Sequence, residues 1–315
     1  MVLYDFLIFI LSLVILIKGS DFFVEHSAKL ARHIGVSEFV IGLTLVSIGT
    51  SLPELATSIS ASFSKESGLI IGNIVGSNIA NIGLILAMGA LLFVIKTKEK
   101  MFIKNSKFLV AITILFIILS IDGIISFIDA SLFLIIFTFY LIHLFRAKEE
   151  QKEIHYEKLP KRELKKDLTK SILFILLGIL GLYFGADLLI PSAINIAKFF
   201  KVPTEIIGVI LIAVGTSLPE LFVTITAARK NLEKILVGNI IGSNISNLLL
   251  IIGISGIINP IKISNLALLY LMPFMFVMTI LFFIYIRKNW SARLMQGISL
   301  LALYLIFILV LFFIR

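Results

Sequence analysis

The chain contains no cysteine in 315 residues, which excludes disulfide staples and thiolate metal centres. Histidine is almost as scarce. The four lie at positions 26, 33, 143 and 155, and no two make a convincing ligand pair, so a transition-metal site has few donors to draw on. Charged residues amount to only 15% of the chain, well below the roughly one quarter usual in soluble domains, so most of the surface cannot face water.

What replaces them is apolar. Hydrophobic residues make up 59% of the sequence and the mean hydropathy is +1.10, which places most of the chain in lipid. About 20 helical residues cross a ~30 Å hydrocarbon core, and ten stretches approach or exceed that length. They run approximately 2–18, 38–63, 68–95, 106–121, 127–145, 171–197, 204–228, 235–259, 266–286 and 296–314. The first is read as a retained span, because no basic segment precedes it and Lys18, Asp21 and Glu25 stand where a cleavage site would need small residues. The expected fold class is an all-α polytopic membrane protein.

A net charge of +9 invites an anionic or nucleic-acid partner, but the positive-inside rule accounts for it more simply. With the amino terminus outside, 22 basic residues fall on the cytoplasmic side, nine of them between Arg146 and Lys170, and five fall outside. Both termini are then expected outside a cell membrane, no organellar targeting segment being recognisable, and neither a nucleic-acid nor a protein partner is indicated.

The chain repeats itself. Residues 19–86 align with 185–252 at a constant offset of 166, and 26 of the 68 pairs are identical, among them Gly, Pro, Asn, Thr, Ser and Glu, which lipid-facing helices use sparingly. The expected organisation is a first five-helix repeat over 1–145 (core motif 39–86), a charged cytoplasmic linker over 146–170, and a second repeat over 171–315 (core motif 205–252). Five is an odd number, so the second copy enters the membrane from the opposite side and the repeats are inverted, an architecture recurrent in secondary transporters.

Both copies carry Gly-Thr-Ser-Leu-Pro-Glu, at 49–54 and 215–220. Proline lacks an amide hydrogen and clashes with the carbonyl four residues back, so spans 2 and 7 are expected to break there, with Leu52 capping a new half-helix and Glu54 in its first turn. Span 3 supplies Gly72, Asn73, Gly76, Ser77, Asn78 and Asn81, and span 8 supplies Gly238, Asn239, Gly242, Ser243, Asn244 and Asn247. Ser77 and Asn81 share a helix face, as do Ser243 and Asn247.

With Thr50, Ser51, Thr216, Ser217, Glu54 and Glu220 these residues form an all-oxygen set, the preference of hard cations such as Ca2+ and Na+. A carboxylate at mid-bilayer costs several kcal/mol and marks function by default. The bland reading of Glu54 and Glu220 is a brace across a kink. For the Ser77, Asn81, Ser243 and Asn247 faces it is interhelical hydrogen bonding, and Asn73, Asn78, Asn239 and Asn244 are read as packing groups. Asp21, three residues from Lys18, is expected to pair with it.

At these residues the sequence closely resembles the cation/calcium exchanger superfamily, and within it the prokaryotic sodium/calcium exchangers. GTSLPE, followed about 18 residues later by GN-x-x-GSN-x-x-N, occurs twice in order, and the resemblance spans nearly the whole chain. It implies ten helices in two inverted halves and secondary active exchange of Ca2+ for Na+ by alternating access, with no cofactor and no enzymatic activity. Glu54 and Glu220 are implied as central Ca2+ ligands aided by Thr50 and Thr216, with Na+ sites around Ser51, Ser77, Ser217 and Ser243 and carbonyl donors at Ser47 and Ala213. Some prokaryotic members carry aspartate where this chain has Asn247, opposite Asn81, which alters the surroundings of any middle site. A Ca2+/H+ exchanger of the same superfamily and a passive cation channel are the alternatives. An intramembrane enzyme finds no nucleophile or base to support it.

Overall fold

The structure, a computed structural model, describes residues 2–96, 100–146, 161–200, 215–287, 291–292 and 294–314. These are almost wholly helical. Helix α1 spans Val2–Ile34. Next come α2 (Glu38–Thr50) and α3 (Leu52–Phe63), bent against each other by 49°, then α4 (Ser67–Leu92), α5 (Lys100–Leu119) and α6 (Phe127–Arg146). The second half holds α7 (Lys161–Phe199), α8 (Leu218–Arg229), α9 (Glu233–Ile258), α10 (Met272–Arg287) and α11 (Leu294–Ile314). Among the described residues eight helices are long and apolar enough to cross a membrane, nine if the bent α2–α3 pair counts as one span.

Sequence and structure diverge in two places. The first span continues to Ile34, because the polar residues beyond Lys18 do not interrupt the helix. The last ten residues of the expected linker, Lys161–Lys170, are the opening turns of α7. The apolar part of the seventh span before Gly215, Ala213 included, lies outside the described residues, so of that span only α8 is seen.

Two helices form the centre. In the most apolar stretch of α9, 94% of residues are buried, and in that of α4, 72%. Glycines let the other helices close on them. A Cβ on Gly242 would lie 2.5 Å from the Leu43 carbonyl oxygen, and one on Gly238 2.6 Å from that of Phe39, so α2 and α9 meet backbone to backbone. The outer helices are exchanged between halves: α6 packs on the end of α9 and α11 on the end of α4. Short antiparallel ribbons tie the loops together, Ile95–Lys96 with Ser291–Ala292 and Ile124–Ile125 with Ile261–Lys262.

Helices α1 and α7 lie against each other as a separate pair. Small residues make the crossing close: a Cβ on Gly19 would meet the Gly181 carbonyl carbon at 3.0 Å, and one on Gly178 the Phe23 amide nitrogen at 2.7 Å. This is how small residues associate membrane helices where the hydrophobic effect supplies no net attraction.

The offset of 166 reappears in the backbone. The turns α3–α4 and α8–α9 pivot on Lys65 (φ 60) and Asn231 (φ 56), two non-glycine residues in left-handed conformation at equivalent positions. Each turn closes with the same bond, Glu66 N–H to the Ala61 carbonyl and Leu232 N–H to the Ala227 carbonyl, both 2.8 Å.

Candidate ion site

The two motifs meet at the start of α3 and α8. Proline sits in the first turn of both helices, and the residue that opens them is serine, Ser51 (φ −85, ψ 11) and Ser217 (φ −88, ψ 9), one position earlier than the leucine expected from sequence. Serine at such a position ordinarily turns its hydroxyl back to cap the helix. Here neither does. Ser51 Oγ donates instead to Glu220 Oε1 at 2.9 Å, and Ser217 Oγ to Ser77 Oγ at 3.4 Å. The uncapped amides leave the positive ends of both helix dipoles beside Glu54 and Glu220, which complements carboxylate charge.

Around the carboxylates runs a set of reciprocal contacts. Thr50 Oγ1 lies 3.2 Å from Asn239 Oδ1, and Thr216 Oγ1 lies 3.3 Å from Asn73 Oδ1. Thr50 Oγ1 is 3.5 Å from Ser243 Oγ, and Thr216 Oγ1 is 3.5 Å from Ser77 Oγ. Asn73 Nδ2 reaches Ser58 Oγ at 3.0 Å, and Asn239 Nδ2 reaches Thr224 Oγ1 at 3.5 Å. In every pair the two sets of positions differ by 166. One carboxylate comes from each half: Ser77 Oγ donates to Glu54 Oε1 at 3.4 Å within the first half, and Ser51 Oγ reaches Glu220 from the opposite half.

Burial is nearly complete. Glu54 and Glu220 are 1% and 2% exposed, and Thr50, Ser51, Ser77, Ser217 and Ser243 are buried with them, while Thr216 is half-buried. Each carboxylate has one oxygen engaged, and its Oε2 has no partner among the described residues. Removing a carboxylate from water costs several kcal/mol unless its charge and lone pairs are met. Two such groups, ringed by hydroxyl and amide oxygens with no cation side chain in the set, offer the donors that hard metal ions prefer. No group of three or more His, Cys, Asp or Glu gathers among the described residues, so the ligand field available here is two carboxylates completed by neutral oxygens.

Of the candidates read from sequence, Glu54, Ser77, Thr216 and Ser217 belong to one hydrogen-bonded cluster, and Thr50, Ser51, Glu220 and Ser243 to a second beside it. The Ser47 carbonyl accepts from Thr50 Oγ1 at 3.1 Å and from the Ser51 amide at 3.0 Å, which sets it at the rim. Asn81 and Asn247 open matching π-helical turns, Asn81–Leu86 and Asn247–Ile251, a feature common at functional sites. Both keep a buried Oδ1 without partner among the described residues, while Asn247 Nδ2 donates to Asn78 Oδ1 at 3.0 Å.

Two corrections concern residues read as bland. Asn73 and Asn239 are more than packing groups, because they bracket both threonines and Asn73 also donates to the Glu54 carbonyl at 3.0 Å. Asp21 pairs with Arg229 and Lys230 of α8 and not with Lys18, since the glycine crossing with α7 leaves the inner half of α1 leaning on α8. Ser58 and Thr224, missed entirely, were detectable as hydroxyl residues conserved in kind at the same offset.

A bent helix, helix starts at both copies of one motif and an oxygen-only site drawn from two homologous halves define a secondary cation transporter. Residues 4–146 and 170–313 match the family described as sodium/calcium exchanger protein, and the chain belongs to that family. Among proteins it is similar to, the sodium/calcium exchanger MaX1 of Methanosarcina acetivorans is 36% identical over the full length of both chains. A membrane protein of Methanocaldococcus jannaschii is 36% identical over 95% of each, and an Escherichia coli inner membrane protein, YrbG, is 32% identical over 82% of this chain and 81% of its own. A solved structure of the sodium-calcium exchanger NCX_Mj at zero Na+ and Ca2+ superposes with a TM-score of 0.84 at 35% identity, covering 99% of this chain and 100% of the other.

Proposed function

We propose that this chain exchanges Ca2+ for Na+ across the cell membrane by alternating access, with ten spans arranged as two inverted five-helix repeats (1–145 and 171–315) joined by the cytoplasmic segment 146–170 and both termini outside. Glu54 and Glu220 are the shared Ca2+ ligands, completed by Thr50 and Thr216. Ser51, Ser77, Ser217 and Ser243, with the Ser47 and Ala213 carbonyls and the Asn81 and Asn247 amides, form the surrounding Na+ sites. The observation that carries the reading is the pair of buried carboxylates, one from each half, each with one oxygen free to take a cation.

The chemistry follows from charge. With both carboxylates ionised, the bare site holds two negative charges in a low-dielectric setting, and moving it across the membrane in that condition is strongly disfavoured. One Ca2+ brings the site to zero. Three Na+ leave one positive charge, so a 3:1 exchange moves net charge and responds to voltage at ~2.3 kcal/mol per charge per 100 mV. Occupancy and movement are coupled because only a compensated site can translocate, which gives exchange and not leak.

The test is Ca2+ uptake into vesicles containing the purified protein, driven by an outward Na+ gradient, with a proton gradient and no gradient as parallel arms. Uptake that requires Na+ and changes with membrane potential is the expected result. Uptake driven only by protons moves the assignment to Ca2+/H+ exchange, and gradient-independent flux makes it a channel.

A further inference from the structure

The site obeys the offset of 166, but one contact region outside it does not. The inner half of α1 is fastened to α8. Ser20 Oγ and Thr226 Oγ1 are 2.8 Å apart, Arg229 pairs with Asp21, Lys230 reaches Asp21 at 3.6 Å and Glu25 at 3.0 Å, and Glu25 takes Lys29 at 2.7 Å. In the second repeat the positions equivalent to Ser20, Asp21, Glu25 and Lys29 are Ala186, Asp187, Pro191 and Asn195. Those equivalent to Thr226, Arg229 and Lys230 in the first are Ser60, Phe63 and Ser64. Asp187 is exposed and has no ion pair among the described residues, and the positions equivalent to Arg229 and Lys230 carry no charge.

The packing differs in the same sense. Where α1 lies along α8, the equivalent approach of α7 to α3 is loose, and a cavity of about 180 Å³ opens where Ile179, Leu180, Leu182 and Tyr183 of α7 face Gly49, Leu52 and Pro53 of the broken span and Pro219 of α8. One copy of the repeat is therefore closed at its gate helix and the other is parted. In a molecule made of two copies of one unit, the second access state is reached when each copy takes up the arrangement its mate now has. In that state α1 parts from α8 and the ion pairs break, while α7 closes on α3 where Phe63 and Ser64 stand in place of the two cations.

We infer that Asp21, Glu25, Arg229 and Lys230 form a one-sided lock that stabilises the access state seen here over its mirror state, and so sets the ratio of apparent ion affinities on the two membrane faces. The pairs are partly exposed, with side-chain exposures from 21% to 52%, and each is individually weak. They act in one direction, however, and a ligand that binds from one face feels the population of the state open to that face. The inference rests on the alternating-access reading above and adds to it which state is favoured and by which residues.

The chain has no native cysteine, so a single thiol can report the equilibrium. Ser20→Cys, nearly isosteric and fully buried at the α1–α8 contact, is introduced into the full-length protein in vesicles. A membrane-impermeant maleimide is supplied on the face where α1 ends at Ile34. Labelling is expected to be slow in that background and about fivefold faster or more when Asp21→Asn, or Arg229→Gln with Lys230→Gln, is added, a factor that corresponds to ~1 kcal/mol. The charge exchange Asp21→Arg with Arg229→Asp is expected to return the rate toward the starting value, and Asp187→Asn to leave it unchanged. Equal labelling with and without the lock charges, or an equal response to Asp187→Asn, would overturn the inference. Na+-driven Ca2+ uptake is measured on the same vesicles: its absence in every variant counts against antiport, and the labelling ratio still decides the lock.

Discussion

The two halves of this protein present the same side chains to the centre from different ground. Thr50 and Thr216, Ser51 and Ser217, and Glu54 and Glu220 occupy equivalent places in helices whose opening residues share backbone angles to within a few degrees. Yet Thr216 is half-buried where Thr50 is wholly buried, and Gly72, Asn73 and Gly76 of α4 are partly exposed where Gly238, Asn239 and Gly242 of α9 are not. Symmetry holds where the ion is handled and fails in the scaffold around it. That is the arrangement an exchanger needs, because a site equally good from both sides has to sit in a frame that opens to one side at a time.

Substitutions at paired positions test this comparison. The largest effect is expected from Glu54→Gln and Glu220→Gln, each of which takes one of the two anionic ligands from the shared ion. Breaking such a buried interaction costs ~2–5 kcal/mol, so Na+-driven Ca2+ uptake should fall by about 30-fold or more in both. A variant that retains uptake at one of the two positions would show that the centre is not shared equally.

Next come the serines. Ser51 donates to a carboxylate at 2.9 Å and Ser217 to a hydroxyl at 3.4 Å. Ser51→Ala is expected to weaken apparent Ca2+ affinity by ~1.5–3 kcal/mol and Ser217→Ala by ~1 kcal/mol or less, the usual difference between charged and neutral hydrogen bonds. Equal losses would mean that Ser217 engages Glu54 in the loaded protein.

A third effect falls on stability. Gly242→Ala forces a methyl to within 2.5 Å of the Leu43 carbonyl oxygen and the Ser47 hydroxyl, and thermal unfolding in detergent should show a loss of ~1–3 kcal/mol. The smallest is Asn239→Ala, expected to cost ~1 kcal/mol in the same assay for a long neutral contact to Thr224 and the acceptor of Thr50.

Much of this was legible in the sequence because membrane insertion and duplication leave strong marks. Apolar run length places helices without any tertiary knowledge, and a proline after glycine within such a run announces a break. The site was legible for the same reason: Glu54 and Glu220 are too costly in lipid to be ornamental, and recurrence at a fixed offset picks their neighbours from dozens of other hydroxyls. What stayed hidden depends on tertiary contact. Asp21 has Lys18 nearby in sequence, and only the packing of α1 on α8 brings the stronger partners Arg229 and Lys230. Asn73 and Asn239 read as helix-packing amides until the threonines of the opposite half arrive beside them. Serine in place of leucine as the opening residue of α3 and α8 follows from the local dihedral angles, which propensity resolves only to within a residue or two.

The lengths of α1 and α7 carry a consequence for the lipid. At 33 and 39 residues they extend about 50 and 58 Å at 1.5 Å per residue, far beyond a ~30 Å hydrocarbon core. Their outward faces, from Leu3, Leu7 and Ile10 on one helix to Leu173, Leu176 and Leu180 on the other, are exposed apolar surface. The charged opening turns of α7, Lys161–Lys170, lie beyond its apolar stretch, and any shift of the pair changes how much apolar length the bilayer must cover. Bilayer thickness thereby acts as a mechanical load on the gate, so acyl-chain length alone should alter turnover at fixed ion gradients.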